Sequence, residues 1–197
     1  MVLDKMRNSA SFLVDGVASH MPNVSPNSIT LFSFLLSIFF GITFYLGYLI
    51  PSFFLLLGAS YLDALDGSVA RMFGKQSKKG DFLDHLTDRY SDLVILTALA
   101  LSPVGNPYLG MLGIAGTLMT SYVGTQAQAV GIGRIYGGFP GRADRLVIIM
   151  VGIILQIFTL KMKFLGFSAT SWVLLIIGAA GLLNSLYRAV IAYRSVS

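Results

Sequence analysis

The chain reads as an all-α, polytopic membrane protein, and three observations predict this. Of its 197 residues, 55% are hydrophobic and 12% are charged, with a mean hydropathy of +0.75. A soluble domain carries roughly twice that charge. Six apolar stretches lie at 28–49, 51–73, 82–103, 108–131, 146–160 and 168–191, most of them near the ~20 residues that cross hydrocarbon as a helix. The breaks between them carry turn residues: Pro51, the run from Pro103 to Pro107, the Gly-rich 131–141 segment, and residues 161–170. Six transmembrane helices with short loops, no repeat and no linker make residues 1–197 a single domain.

Each element has its own signal. In residues 1–20, Leu3, Met6, Leu13, Val14 and Val17 recur at near-helical spacing among Lys5, Arg7 and Asp15. This predicts an amphipathic helix lying on the membrane surface. The same residues lack a continuous apolar run and a small-residue cleavage site, so a cleavable signal peptide is not expected. Before the first stretch, Pro26 suits a first helical turn, and Ser25 or Asn27 can cap it. The second stretch starts at Pro51, and the third ends at the Pro103–Pro107 loop. The fourth runs into Gly131. The fifth is short and has to borrow turns at both ends. The chain has no Cys, which excludes disulfides and thiolate metal sites.

The cations sort by side. With the N-terminus cytoplasmic, the inside holds Lys5, Arg7, Arg71, Lys75, Lys78, Lys79, Arg89, Arg134, Arg142, Arg145, Arg188 and Arg194. The outside holds Lys161 and Lys163. That split, 12 against 2, predicts both termini inside. A prokaryotic plasma membrane is the simplest home.

The acids are less evenly spread. All nine are Asp, and six fall between 63 and 92: Asp63, Asp66, Asp81, Asp84, Asp88 and Asp92. Carboxylates in or beside a bilayer cost several kcal/mol each, so the cluster needs a reason. Asp63 and Asp66 are spaced i, i+3; Asp84 and Asp88 are spaced i, i+4. Each pair shares one helix face, and both pairs converge on the cytoplasmic mouth through the 74–80 loop. Two antiparallel helices presenting two carboxylates each make an oxygen cage for Mg²⁺ or Mn²⁺, with room for two ions. Arg71, one turn further on, suits a phosphate. Ion pairing with Arg71 and Arg89, or a cation pathway, would also account for the aspartates. Asp81 and Asp92 read as interfacial neighbours. So does His85, whose side chain leaves the helix about 100° from Asp84.

The run Asp63-x-x-Asp66-Gly67-x-x-Ala70-Arg71, eight residues, then Gly80-x-x-x-Asp84-x-x-x-Asp88 resembles the signature of the CDP-alcohol phosphotransferase family. All eight signature residues are present at family spacing, and the six-helix profile extends the likeness over most of the chain. The resemblance implies a reaction: an acceptor alcohol attacks the β-phosphorus of a CDP-linked lipid, and CMP leaves. It implies Asp63, Asp66, Asp84 and Asp88 as metal ligands, with Asp88 also the general base. It places Asp66, Gly67, Ala70, Arg71 and Gly80 on the CDP moiety. The implied partners are a CDP-linked lipid donor, a small polar alcohol, membrane lipids and a second copy of the chain in a homodimer, with no nucleic acid.

The acceptor is read from a weaker resemblance. Ser121–Gly131 and the run Gly141-Arg142-Ala143-Asp144-Arg145 are similar to the inositol-phosphate-using branch, the phosphatidylinositol-phosphate and archaetidylinositol-phosphate synthases. Arg142 and Arg145 match that branch. Its two basic residues on the fourth helix are replaced by Gly124 and Gln126. The candidate acceptor contacts are therefore Gln126, Arg134, Arg142 and Arg145, because an amide inside a bundle is costly unless it faces a cavity. A non-phosphorylated or glycerol-phosphate acceptor is the alternative within the family. Outside it stand an Asp-motif prenyltransferase, which the Gly67, Ala70, Arg71 and Gly80 framework argues against, and a divalent-cation transporter.

Overall fold

The computed structural model describes residues 14–133, 135, 138–159 and 162–195. Six helices run through them: α1 Pro26–Tyr45, α2 Leu49–Met72, α3 Lys78–Leu101, α4 Pro107–Ala129, α5 Arg142–Thr159 and α6 Ala169–Ser195. The protein is an all-α, polytopic membrane protein. Three of the helices, α1, α2 and α6, are long and apolar enough to cross a membrane. Six were expected. The other three are diluted by polar residues: α3 carries Asp81, Asp84, Asp88, Arg89 and Asp92, α4 is rich in Gly, Thr and Gln, and α5 opens on Arg142, Asp144 and Arg145.

Local turn chemistry explains why α1, α3, α4 and α5 start before their apolar stretches do. Pro26 occupies the first turn of α1. Ser77 caps α3 by accepting from Gly80 N at 3.0 Å, so α3 begins on polar Lys78 rather than at 82. The Asn106 side chain accepts from Tyr108 N and Leu109 N at 3.0 and 3.1 Å, ahead of α4. At α5, Asp144 Oδ2 accepts from Gly141 N at 2.8 Å, which adds a polar turn before Leu146.

The main core joins Phe40, Phe44, Leu56, Leu99, Ile153, Leu174 and Ile177 from all helices but α4. The α4–α6 contact is made instead through small residues. A Cβ added at Gly181 would lie 2.8 Å from the Gly116 carbonyl carbon. The closeness lets the Thr120 hydroxyl donate to Gly181 O across the interface at 2.8 Å.

A second cluster corrects the expected surface helix. Residues 14–18 form a short helical segment whose Val14 and Ala18 are buried against Leu65 and Val69 of α2. Ser68 of α2 donates to Asp15. Val17, expected on the apolar face, is exposed. The contact with α2 fixes the segment's buried face, which periodicity alone could not. Leu3, Met6 and Leu13 lie outside the described residues.

Candidate active site

One end of the bundle gathers the start of α1, the end of α2, the start of α3, the start of α5 and the end of α6. Two cavities open there. The first, about 190 Å³, is lined by Pro26, Asn27 and Thr30 from α1, and by Asp66, Gly67, Ala70 and Arg71 from α2. The loop adds Lys75, Gln76 and Ser77, and α3 adds Gly80, Asp81 and Asp84. All five residues expected on the CDP moiety line it. The glycines keep it open: a Cβ at Gly80 would stand 3.2 Å from both Asn27 Oδ1 and Ser77 Oγ, and one at Gly67 would stand 3.1 Å from Arg71 Nη1. Lys75 anchors the loop by donating to Pro22 O at 2.6 Å and Val24 O at 3.0 Å. Asn27, which capping alone explained in the sequence, turns out to be a wall of this cavity.

The four signature aspartates lie between this cavity and the next. Asp66 is 5% exposed and accepts from the Thr30 hydroxyl at 2.5 Å. Asp84 lines the first cavity. Arg142, from α5, pairs with Asp63 and places Nη2 2.9 Å from Asp88 Oδ1. Asp88 Oδ1 is buried, and that ion pair is its contact with a cation. The guanidinium offsets the cost of burying that carboxylate. Asp84, His85 and Asp88 can bring one ligand atom each within 4.8 Å of one another. His85 thus reaches the cluster that its departure angle pointed away from, because a long side chain swings back along the helix. Its Nε2 is also 3.4 Å from Asp81 Oδ1, one turn earlier.

The second cavity, about 330 Å³, is lined by Asp88 and Arg89 of α3, Thr120, Ser121 and Gly124 of α4, Ile135, Gly138 and Gly141 of the connecting segment, Arg142 and Arg145 of α5, and Arg188 of α6. Arg142 and Arg145 were expected there. Gln126 is exposed and does not line it. Packing against α6 buries the Gly113, Gly116, Thr117, Thr120 and Gly124 face of α4, and Gln126 leaves the helix about 200° from Gly124. Arg134 lies outside the described residues. Arg89 and Arg188 are additions. Arg188 Nη1 donates to Thr120 O at 3.2 Å and would stand 3.5 Å from a Cβ at Gly124. The glycine that replaces a basic residue on α4 therefore leaves room for a guanidinium from α6.

Asp92 needs correcting too. It is no interfacial neighbour: it is 6% exposed and lies 2.9 Å from Arg145 Nη2 and 3.2 Å from Arg89 Nη1. Asp81 is exposed, as expected.

A sequence model described as CDP-alcohol phosphatidyltransferase matches residues 23–183. The chain is 37% identical over 128 residues to the archaetidylinositol phosphate synthase of Pyrococcus horikoshii, a match covering 65% of this chain and 68% of that one. Its fold is similar to the phosphatidylinositol phosphate synthase of Mycobacterium tuberculosis solved with CDP-DAG bound, with a TM-score of 0.79 and 21% identity, over 93% of this chain and 96% of that one. The same synthase in complex with manganese and citrate also gives a TM-score of 0.79, at 22% identity, over 93% and 92% of the two chains.

Proposed function

The chain belongs to the CDP-alcohol phosphatidyltransferase family, and from that premise we propose that it moves a phosphoryl-lipid group from a CDP-linked lipid to a phosphorylated polyol such as inositol phosphate. The observation that carries this reading is Asp88: 9% exposed and ion-paired to Arg142, it borders a cavity lined by that arginine and three others. A carboxylate there can take the proton of an acceptor hydroxyl once the two come within about 3 Å. The arginines suit a phosphate on the same acceptor, since a guanidinium fork matches phosphate oxygens two at a time. The Pyrococcus relative is named for a product of that kind.

In this reading the CDP moiety lies in the first cavity against Asp66, Gly67, Ala70, Arg71 and Gly80. Asn27 and Lys75 line the same space. The acceptor oxygen attacks the β-phosphorus, its proton passes to Asp88, and the bond to CMP breaks with its electron pair on the leaving phosphate. Arg71 faces the diphosphate and offsets its charge. Asp63, Asp66, Asp84 and Asp88 would hold Mg²⁺ or Mn²⁺, two ions in all, and the closeness of the Asp84 and Asp88 ligand atoms, within 4.8 Å, fits such a cation. Bound there, the metal would neutralise the diphosphate and the charge growing on CMP. That the Mycobacterium synthase was solved with manganese supports the choice of ion.

The setting completes the proposal. All six helices span a plasma membrane, both termini and the site face the cytoplasm, and the enzyme works as a homodimer. A site at the mouth of the bundle leaves the lipid tails in the bilayer and the nucleotide in water. Purified protein given CDP-diacylglycerol or CDP-archaeol, Mg²⁺ or Mn²⁺, and a panel of inositol 1-phosphate, inositol, glycerol 3-phosphate, serine and ethanolamine tests the reading. CMP release is expected with inositol 1-phosphate. Release driven as well by unphosphorylated inositol would remove the phosphate from the proposal.

A further inference from the structure

Asp92 lies one helical turn beyond Asp88 and outside the family signature. Both of its partners are arginines of the second cavity, and a single oxygen serves both. Oδ2 accepts from Arg145 Nη2 at 2.9 Å and lies 3.2 Å from Arg89 Nη1. Arg145 is 5% exposed. An isolated guanidinium buried to that degree is expensive, and so is an isolated carboxylate; paired in good geometry, each answers the other's cost. Arg89 has a second partner, since its Nη2 is also 3.7 Å from Asp88 Oδ2. The guanidinium thus bridges the two carboxylates, with its shorter approach to Asp92.

We propose that Asp92 is a positioning residue of the acceptor site. It fixes the Arg89 and Arg145 guanidiniums as one rigid, doubly charged wall against which a phosphomonoester group docks. The inference rests on reading the second cavity as the acceptor pocket. It adds that the pocket's preference for a phosphorylated acceptor depends on a buried carboxylate that touches no substrate. Asp92 lies outside the Asp84, His85 and Asp88 group, and its pairing with Arg145 is a contact separate from that group. An anion behind the wall lowers the net positive charge of the pocket, yet it holds two forks in place, and pre-organised donors lose less entropy when the phosphate arrives.

Asp92→Asn preserves shape and removes the charge. Steady-state CMP release is measured with inositol 1-phosphate and CDP-lipid varied in turn, alongside inhibition by inorganic phosphate. The KM for inositol 1-phosphate and the inhibition constant for phosphate should each rise about tenfold or more, the cost of loosening charge-assisted bonds. The KM for the CDP-lipid should stay within about twofold of wild type. In an Arg145→Gln background, Asp92→Asn should add little, because its effect passes through that arginine. Asp92→Glu, which keeps the charge and displaces it by one methylene, should show a smaller rise in the same direction, and it carries the comparison if the Asn variant does not fold. Equal rises in both KM values, or full additivity with Arg145→Gln, would mean a merely structural residue. If the wild type neither favours inositol 1-phosphate nor responds to phosphate, the acceptor reading fails and takes this inference with it. If the wild type does both and Asp92→Asn matches it, only the role of Asp92 falls.

Discussion

Arg142 Nη2 lies 2.9 Å from Asp88 Oδ1, so a cation of the arginine-lined cavity stands directly against a carboxylate of the aspartate cluster. The same guanidinium pairs with Asp63 on α2. One side chain from α5 thereby ties α2 to α3 at the point where the two cavities approach each other.

That tie predicts a metal-dependent stability. Arg142→Ala leaves Asp63 and Asp88 without the charge they share, with only Arg89 remaining 3.7 Å from Asp88, a loss of roughly 2 kcal/mol or more. A divalent cation supplies the missing charge. The thermal midpoint of the variant should therefore fall well below wild type in EDTA and recover most of the gap when Mn²⁺ is added. Scans by tryptophan-independent dye fluorescence, with and without metal, would read this. A gap of the same size in both conditions counts against the shared site.

Thr30 predicts a change in metal affinity at constant shape. Its hydroxyl lies 2.5 Å from Asp66 Oδ2 and orients that carboxylate. Thr30→Val should weaken Mn²⁺ binding about tenfold, the usual scale for losing a hydrogen bond behind a ligand, and Thr30→Ser should retain it. Titration calorimetry with Mn²⁺ alone measures both.

Gly80 predicts a donor-specific defect. A Cβ there would stand 3.2 Å from Asn27 Oδ1 and Ser77 Oγ, at the wall of the first cavity. Gly80→Val should raise the KM for the CDP-lipid by about tenfold, roughly the 1.4 kcal/mol that such crowding costs. The KM for the acceptor should hardly change, because Gly80 is not in the second cavity.

Gly181 predicts a loss of stability away from the aspartate cluster. It packs against the Gly116 backbone, where a Cβ has no room. Gly181→Val should cost about 1–3 kcal/mol by overpacking. It should also free the Thr120 hydroxyl from Gly181 O. Detergent-solubilised protein should unfold at a lower temperature, with its metal affinity unchanged.

What the sequence made legible was what one helix encodes by itself. Asp63 with Asp66, and Asp84 with Asp88, share faces by spacing alone, and the residues expected on the CDP moiety meet because the short loop before Lys78 turns the chain back and α1 packs against both α2 and α3. What it hid depended on partners distant in the chain. Asp92 looked solvated until α5 delivered Arg145 to it, 53 residues away. Arg188 reaches the second cavity because α4 and α6 pack glycine to glycine, and that same contact turns Gln126 outward. The stripe Gly113, Gly116, Thr117, Thr120 and Gly124 was readable in advance as the packed face of α4, and it would have placed Gln126 on the other side. The extra polar turns at Lys78 and Arg142 escaped an argument built on apolar runs, since capping rather than burial sets where those helices begin.

The central claim is that Asp88 takes the acceptor's proton at the border of the two cavities. Asp88→Asn is nearly isosteric and cannot act as that base. With a CDP-lipid, inositol 1-phosphate and saturating Mn²⁺, its rate of CMP release should fall by a factor of about 10²–10⁴, the range general-base catalysis contributes, while the folded bundle persists. Wild-type turnover by Asp88→Asn under those conditions would contradict the account.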